Sequence, residues 1–196
     1  MKKNIIITGT GRAGKSTLTR RLNHELGCFT ISTDKIVTVL MRAYPELGIN
    51  YHSEDRLARL APYIGHYLGN LLSGREALKG INIVVEGNFD FDRIINVWNR
   101  YEIGDFWDCF HLIGLIYPNQ TPERLFADIR KHDTEHDYHT FNKSDDELRS
   151  WVAHLIDYSR GFSEKYKKYN PIIYDVSYNR ELVLDKAFND IKSFIG

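Results

Sequence analysis

Runs rich in β-branched and aromatic residues recur along the chain: IIIT (5–8), CFTIS (28–32), INIVVE (81–86), CFHLIGLIY (109–117) and PIIYDVS (171–177). They do not alternate cleanly between apolar and polar positions. A strand that is apolar throughout is one covered on both faces, as in a parallel sheet. Helical spacing fills the intervals at 15–26, 34–44, 54–79, 91–101, 122–131, 145–168 and 180–195. Strands alternating with helices predict an α/β fold. There is no internal repeat and no low-complexity linker.

Two regions break the alternation. Between 34 and 79 there are two helical stretches, joined by YPELGINYHSED, where a single crossover helix would suffice. The segment KHDTEHDYHTFNKSDD (131–146) is polar without apolar period, and it ends in Ser144-Asp145-Asp146-Glu147, a capping-box pattern that restarts a helix. Insertions of this kind in a compact α/β domain tend to be acceptor-binding flaps or lids.

Composition narrows the reading only a little. A chain of 196 residues fits one domain. Lys plus Arg number 26, as do Asp plus Glu, so the overall charge favours no polyanionic partner and no nucleic acid is expected. Two isolated cysteines, Cys28 and Cys109, fall in apolar segments that read as buried strands and suggest a reducing compartment. No segment approaches the roughly 18 apolar residues that cross a bilayer, and the apolar run after the charged start is too short for a signal peptide. The expectation is a soluble, cytoplasmic, single-domain protein without a membrane partner.

The chemistry starts at IIITGTGRAGKSTLTRRL (5–22). Gly9-Thr10-Gly11-Arg12-Ala13-Gly14-Lys15-Ser16 fits G-x-x-x-x-G-K-[ST] at every fixed position, between a predicted strand and a predicted helix. Glycines let the backbone curl until successive amides face phosphate oxygens, and the following helix adds its positive N-terminal end. Lys15 is placed to reach the β- and γ-phosphates, the Ser16 hydroxyl to ligate Mg²⁺, and Gly11 to Thr17 to grip the triphosphate. The loop therefore predicts binding of a nucleoside triphosphate, with ATP and Mg²⁺ as the expected cofactors.

A GTPase is one rival, because NKSD (142–145) spells a guanine-reading pattern. That pattern should close a buried strand, whereas here it follows polar DYHT and overlaps the capping box; no Asp stands three residues before a glycine either. It reads as a helix start.

The chain instead resembles the nucleoside-monophosphate-kinase-like group, which includes adenylate, shikimate and gluconate kinases. The resemblance rests on the N-terminal loop, on ISTDKI after the second strand, on VVEGNF after the third, on the polar lid after the fourth and on the closing PIIYDVSYNRELVLDKAFNDI. It implies a three-layer fold with a five-stranded parallel sheet in the order 2-3-1-4-5, an acceptor region at about 34–79 and a lid at about 122–146. In members that phosphorylate a hydroxyl, the aspartate at the position of Asp34 orients or deprotonates the acceptor; the alternative for Asp34 is a helix cap or dipole partner. Glu86 stands where a Walker-B acid holds Mg²⁺ through water, although the family more often has Asp there, and it could instead meet the acceptor. Gly87 would then allow substrate to approach the backbone closely.

Family lids carry arginines onto the transferring phosphate, which points to Arg130 and also to Arg124 on the nucleotide. Arg56, Arg59 and Arg93 are candidates for an anionic acceptor, and Arg12 and Ala13 sit within the loop itself, where Arg12 is expected to reach only solvent. The cluster His132, Asp133, His136, Asp137 and His139 lacks a strong metal-ligand spacing. Tyr63, Tyr67 and Phe89 fit core packing better than ring stacking. Adenylate kinases place an arginine shortly after the aspartate and an Asp-Gly-aromatic-Pro-Arg stretch after the third strand; here those places read KIVTVLMR and EGNFDFDR. A hydroxyl on a small metabolite or nucleoside is therefore the favoured acceptor, in a monomer or homodimer. A nucleoside monophosphate kinase and a non-catalytic ATP-binding module are the alternatives.

Overall fold

The computed structural model describes residues 4–51, 53–74, 80–134 and 138–195. A parallel sheet runs through the molecule in the order β2-β3-β1-β4-β5. Its strands are β1 (Asn4–Gly9), β2 (Phe29–Ser32), β3 (Ile83–Glu86), β4 (Phe110–Ile116) and β5 (Ile172–Asp175). Both the number and the order are those expected. β1 is central, paired to β3 through Ile5 and Val84 and to β4 through Ile6 and Leu112.

The three isoleucines of β1 explain why that strand shows no alternation in sequence. Ile5 and Ile7 pack into one apolar cluster and Ile6 into another, on opposite sides of the sheet, and all three are fully buried. Successive side chains point to opposite faces, so a strand with two covered faces must be apolar at every position.

On the first face lie α1 (Lys15–Leu26), α6 (Pro122–His132), the N-terminal half of α8 (Asp145–Tyr166) and α9 (Arg180–Ile195). The second face carries α2 (Thr33–Ala43), α3 (Arg56–Ser73) and α4 (Phe91–Trp98), together with Phe162 and Tyr166 from the end of α8. Two short helices, α5 (Phe106–Cys109) and α7 (Tyr138–Phe141), were not anticipated. Each spans four residues, too few to impose a hydrophobic period.

The described residues of the 34–79 region form two α-helices, as expected, and α3 lies close against the segment that begins with α4. A Cβ at Gly65 would sit 2.7 Å from Val97, and one at Gly69 would sit 2.3 Å from the Tyr101 ring. Tyr63 and Tyr67 depart from their expected place in the core: they are 38% and 42% exposed, because the buried stripe of α3 runs through Leu60, Ala61, Ile64 and Leu68. Phe89 is buried and stacks on Phe91. Cys28 and Cys109 are buried and take no part in a disulfide, each one residue before a strand and not within it. No helix among the described residues is long and apolar enough to cross a membrane.

Candidate active site

The glycine-rich loop joins β1 to α1 at the C-terminal edge of the sheet, where ligands of open α/β folds collect. Gly9 has φ 128°, and a Cβ there would overlap the Leu115 carbonyl oxygen at 2.0 Å. The next amide, of Thr10, donates to that same carbonyl at 3.0 Å, so the loop leaves the sheet tied to β4. Gly14, φ 100°, is the N-cap of α1 and has no side chain to block the free amides of the first turn.

Lys15 is half-buried and donates to the carbonyls of Thr10 (2.8 Å) and Gly9 (3.3 Å). Burial pushes its ammonium below the usual range, against the opposing pull first of Glu86 and then of Asp34. Both carboxylates therefore act on the lysine. The Ser16 hydroxyl donates to Glu86, 2.9 Å from Oε2 and 3.1 Å from Oε1. Serine oxygen and carboxylate are hard donors of the type magnesium takes, completed by water and phosphate. The donor set thus fits Mg²⁺ with Ser16 and Glu86 as its protein side.

Asp34 lies in the first turn of α2, after an N-cap Ser32 that makes no side-chain bond. Its carboxylate is exposed and forms no ion pair among the described residues, while its carbonyl accepts from Tyr51 (2.7 Å) and Thr38 (2.9 Å). Tyr51 connects onward to Arg56, whose Nη1 donates to the Tyr51 carbonyl at 3.0 Å. Arg56 thus belongs to the Asp34 side of the molecule. Arg59 is held by Asp55 (2.6 Å) and Arg93 by Asp90 (3.2 Å), each aspartate being the N-cap of the helix that carries its arginine. Gly87, φ 147°, is where Thr33 packs: a Cβ there would fall 1.8 Å from Thr33 Oγ1. The close approach at Gly87 is thus made by the chain itself.

The arginines of the lid differ from one another. Arg130 donates to Asp145 (2.8 and 3.1 Å), to the Lys143 carbonyl (2.6 Å) and to the Thr140 carbonyl (3.3 Å), bracing the 140–145 turn. Arg124 lies 5.2 Å over the Tyr178 ring and lines a cavity of about 310 Å³ between α6 and the β5–α9 turn. Arg12 does more than meet solvent. Its Nη2 contacts Asp133 at 2.6 Å and the Thr140 hydroxyl, joining the loop to the end of α6. The Asp133 side chain is only 3% exposed. His132 lines the cavity, whereas His136, Asp137 and the His139 side chain of the proposed cluster lie outside the described residues. NKSD is a helix start as read: the Ser144 amide donates to Glu147 at 2.8 Å and the Glu147 amide returns to Ser144 Oγ at 3.3 Å.

Sequence reasoning missed Tyr117 and Arg180. The buried Tyr117 hydroxyl donates to the Gly11 carbonyl at 2.6 Å, and burial, opposed by the charges of Arg12 and Arg180, raises its pKa. Both residues line the cavity beside the loop. No local pattern marks either, since each meets the loop across more than a hundred residues of chain.

No family model matches the chain, and no curated protein matches it. Its likeness is to solved structures. Shikimate kinase from Bacteroides thetaiotaomicron is 16% identical, with a TM-score of 0.56 over 97% of this chain and 98% of that one. A gluconokinase from Sinorhizobium meliloti 1021 is 13% identical, at 0.53 over 99% and 94%. A sugar kinase from Janibacter sp. HTCC2649 is 15% identical, at 0.53 over 100% and 99%. At these identities the likeness shows a shared fold.

Proposed function

We propose that the protein is an ATP- and Mg²⁺-dependent phosphotransferase that moves the γ-phosphate of ATP to a hydroxyl of a small metabolite or nucleoside. The observation that carries this reading is the joining of Ser16 to Glu86, with the half-buried Lys15 acted on by both Glu86 and Asp34. A loop that merely turned a corner would have no need of a partly buried ammonium and an acid bonded to its serine. The named structural neighbours, a shikimate kinase, a gluconokinase and a sugar kinase, support the same class.

In this reading the amides of Gly11 to Thr17 cradle the phosphates and Lys15 neutralises charge on the β- and γ-oxygens. Ser16 and Glu86 would hold magnesium, which when bound would supply Lewis-acid charge to the triphosphate. The nucleoside occupies the cavity between α6 and the β5–α9 turn, with Arg124 at its far end. Asp34 accepts the acceptor's hydroxyl proton as the new P–O bond forms and the bond from the γ-phosphorus to the bridging oxygen breaks, releasing ADP. Positioning does most of the work in so loose a transition state. Arg56, on the Asp34 side, would meet an anionic group on the acceptor. In this reading Arg130 braces the lid turn through Asp145 and the carbonyls of Lys143 and Thr140.

The test is a coupled assay of ADP release across two acceptor sets, hydroxylated metabolites with nucleosides, and nucleoside monophosphates. The proposal predicts stimulation by a member of the first set, lost in Asp34→Asn with Mg·ATP affinity retained. Stimulation by nucleoside monophosphates alone would assign the other class, and ATP binding with no stimulation by either set would favour a binding module.

A further inference from the structure

Arg12 and Asp133, the two ends of one contact, each sit where local structure does not favour them. Arg12 holds φ 63° in a loop whose other positive-φ positions, Gly9 and Gly14, are glycine. A residue with a Cβ adopts that conformation at a cost, and the strain persists where surrounding contacts hold it. Asp133 is the C-cap of α6, its amide bonded to the Ile129 carbonyl at 2.8 Å. Its carboxylate therefore stands at the negative end of the helix dipole, the wrong end for an anion.

Burial makes that placement worse. Oδ2 of Asp133 meets neither solvent nor a hydrogen-bond donor among the described residues. Arg130, Lys131 and His132 in the last turn of α6 form no ion pair with it among those residues, and Arg130 is bonded to Asp145. What answers the charge is Arg12, whose Nη2 donates to Oδ1 at 2.6 Å. The same nitrogen donates to the hydroxyl of the buried Thr140. Turning the loop requires no arginine at 12, and ending the helix requires no aspartate at 133. The contact between them accounts for both.

Arg12 and Asp133 also line the cavity of about 310 Å³ beside the loop, so their bond joins the loop to the α6 wall of that cavity. We propose that Arg12 is a positioning residue whose bond to Asp133 holds the end of α6 against the phosphate loop and slows release of bound nucleotide. The inference rests on the nucleotide-binding reading above and adds to it a loop side chain that acts on the protein itself. A charge-assisted bond between loop and wall must break before the wall moves outward, so it adds to the barrier to dissociation.

Asp133→Asn gives the decisive sign. Removing a negative charge beside a polyanionic ligand would, by electrostatics alone, slow release of that ligand. Loss of the bond predicts the reverse. The experiment is stopped-flow displacement of methylanthraniloyl-ADP, bound with Mg²⁺, by excess ATP from the wild-type protein, Asp133→Asn, Arg12→Lys and the double variant. Release should be about tenfold faster from Asp133→Asn, with association changed less than about threefold. Lysine keeps the charge without the guanidinium fork, so Arg12→Lys should fall between. The double variant should release no faster than Asp133→Asn, because the two changes break one bond. Unchanged or slower release from Asp133→Asn overturns the proposal, as does a double variant accelerated by the product of the single effects. Should Asp133→Asn fail to fold, release from Arg12→Lys at the wild-type rate overturns it. Wild-type protein that binds no methylanthraniloyl-ADP would instead sink the nucleotide-binding reading, and this proposal with it.

Discussion

Tyr117→Phe removes one hydroxyl and nothing else, at a place where the core and the phosphate loop meet. The ring is 2% exposed and the hydroxyl donates to the Gly11 carbonyl at 2.6 Å, so the change leaves packing intact and one loop carbonyl without its partner. A neutral hydrogen bond contributes about 1 kcal/mol, and a partly buried carbonyl left unpaired brings the loss to about 1–2 kcal/mol. For a domain of this size that lowers the melting temperature by about 2–8 °C. The larger consequence is for ligand binding. With its carbonyl released, the peptide after Gly11 can rotate and its amide no longer faces the phosphates, so Mg·ATP affinity should fall about threefold to tenfold. Thermal unfolding with and without Mg·ATP, together with calorimetric titration, measures both. A lowered melting temperature with affinity unchanged would refute the reasoning, because the hydroxyl would then support the core without shaping the loop.

Gly87→Ala should lose about 2–4 kcal/mol in denaturant titration, since its Cβ would fall on Thr33 Oγ1 from a φ of 147°; a loss under 1 kcal/mol would show that the β3 turn is not so tight. Burial raises the pKa of Tyr117, Tyr158, Tyr166 and Tyr174. A raised folded pKa contributes stability that is fully present below about pH 10 and is lost as pH climbs through the folded value. Phenolate absorbance should therefore appear in two stages, the second coinciding with loss of circular dichroism, and a single reversible titration of every tyrosine near pH 10 would contradict this. Arg130→Ala should expose the 133–144 segment to limited proteolysis while Mg·ATP affinity changes less than threefold; protease resistance combined with a large loss of turnover would return Arg130 to the chemistry.

The elements with a long period, or a fixed motif, were readable in advance. Ile5-Ile6-Ile7 announces a strand buried on both faces, and the glycine spacing after it announces a phosphate loop, because both signals are local. Helix α8 was marked by its own cap at Ser144 and Glu147. What local pattern cannot carry is which distant residues meet. Arg12 and Asp133 are separated by 121 residues, and Tyr117 reaches Gly11 across 106. That Arg130 meets Asp145, fifteen residues on, is likewise visible only in the fold. The aromatic residues of α3 failed for a different reason. Gly65 admits Val97 of α4 and Gly69 the Tyr101 ring beyond it, so the buried stripe runs on their side and not through Tyr63 and Tyr67, and a small residue in a helical pattern gives no hint of the partner it admits.

Nucleotide binding depends most on the loop, on Lys15 and on the pair formed by Ser16 and Glu86. Titration of Mg·ATP into the wild-type protein and Lys15→Met, followed by calorimetry, tests that dependence directly. Saturable binding of one nucleotide per chain, lost or weakened at least a hundredfold in the variant, is the expected result. No heat with the wild-type protein, or equal affinity in both, would contradict it.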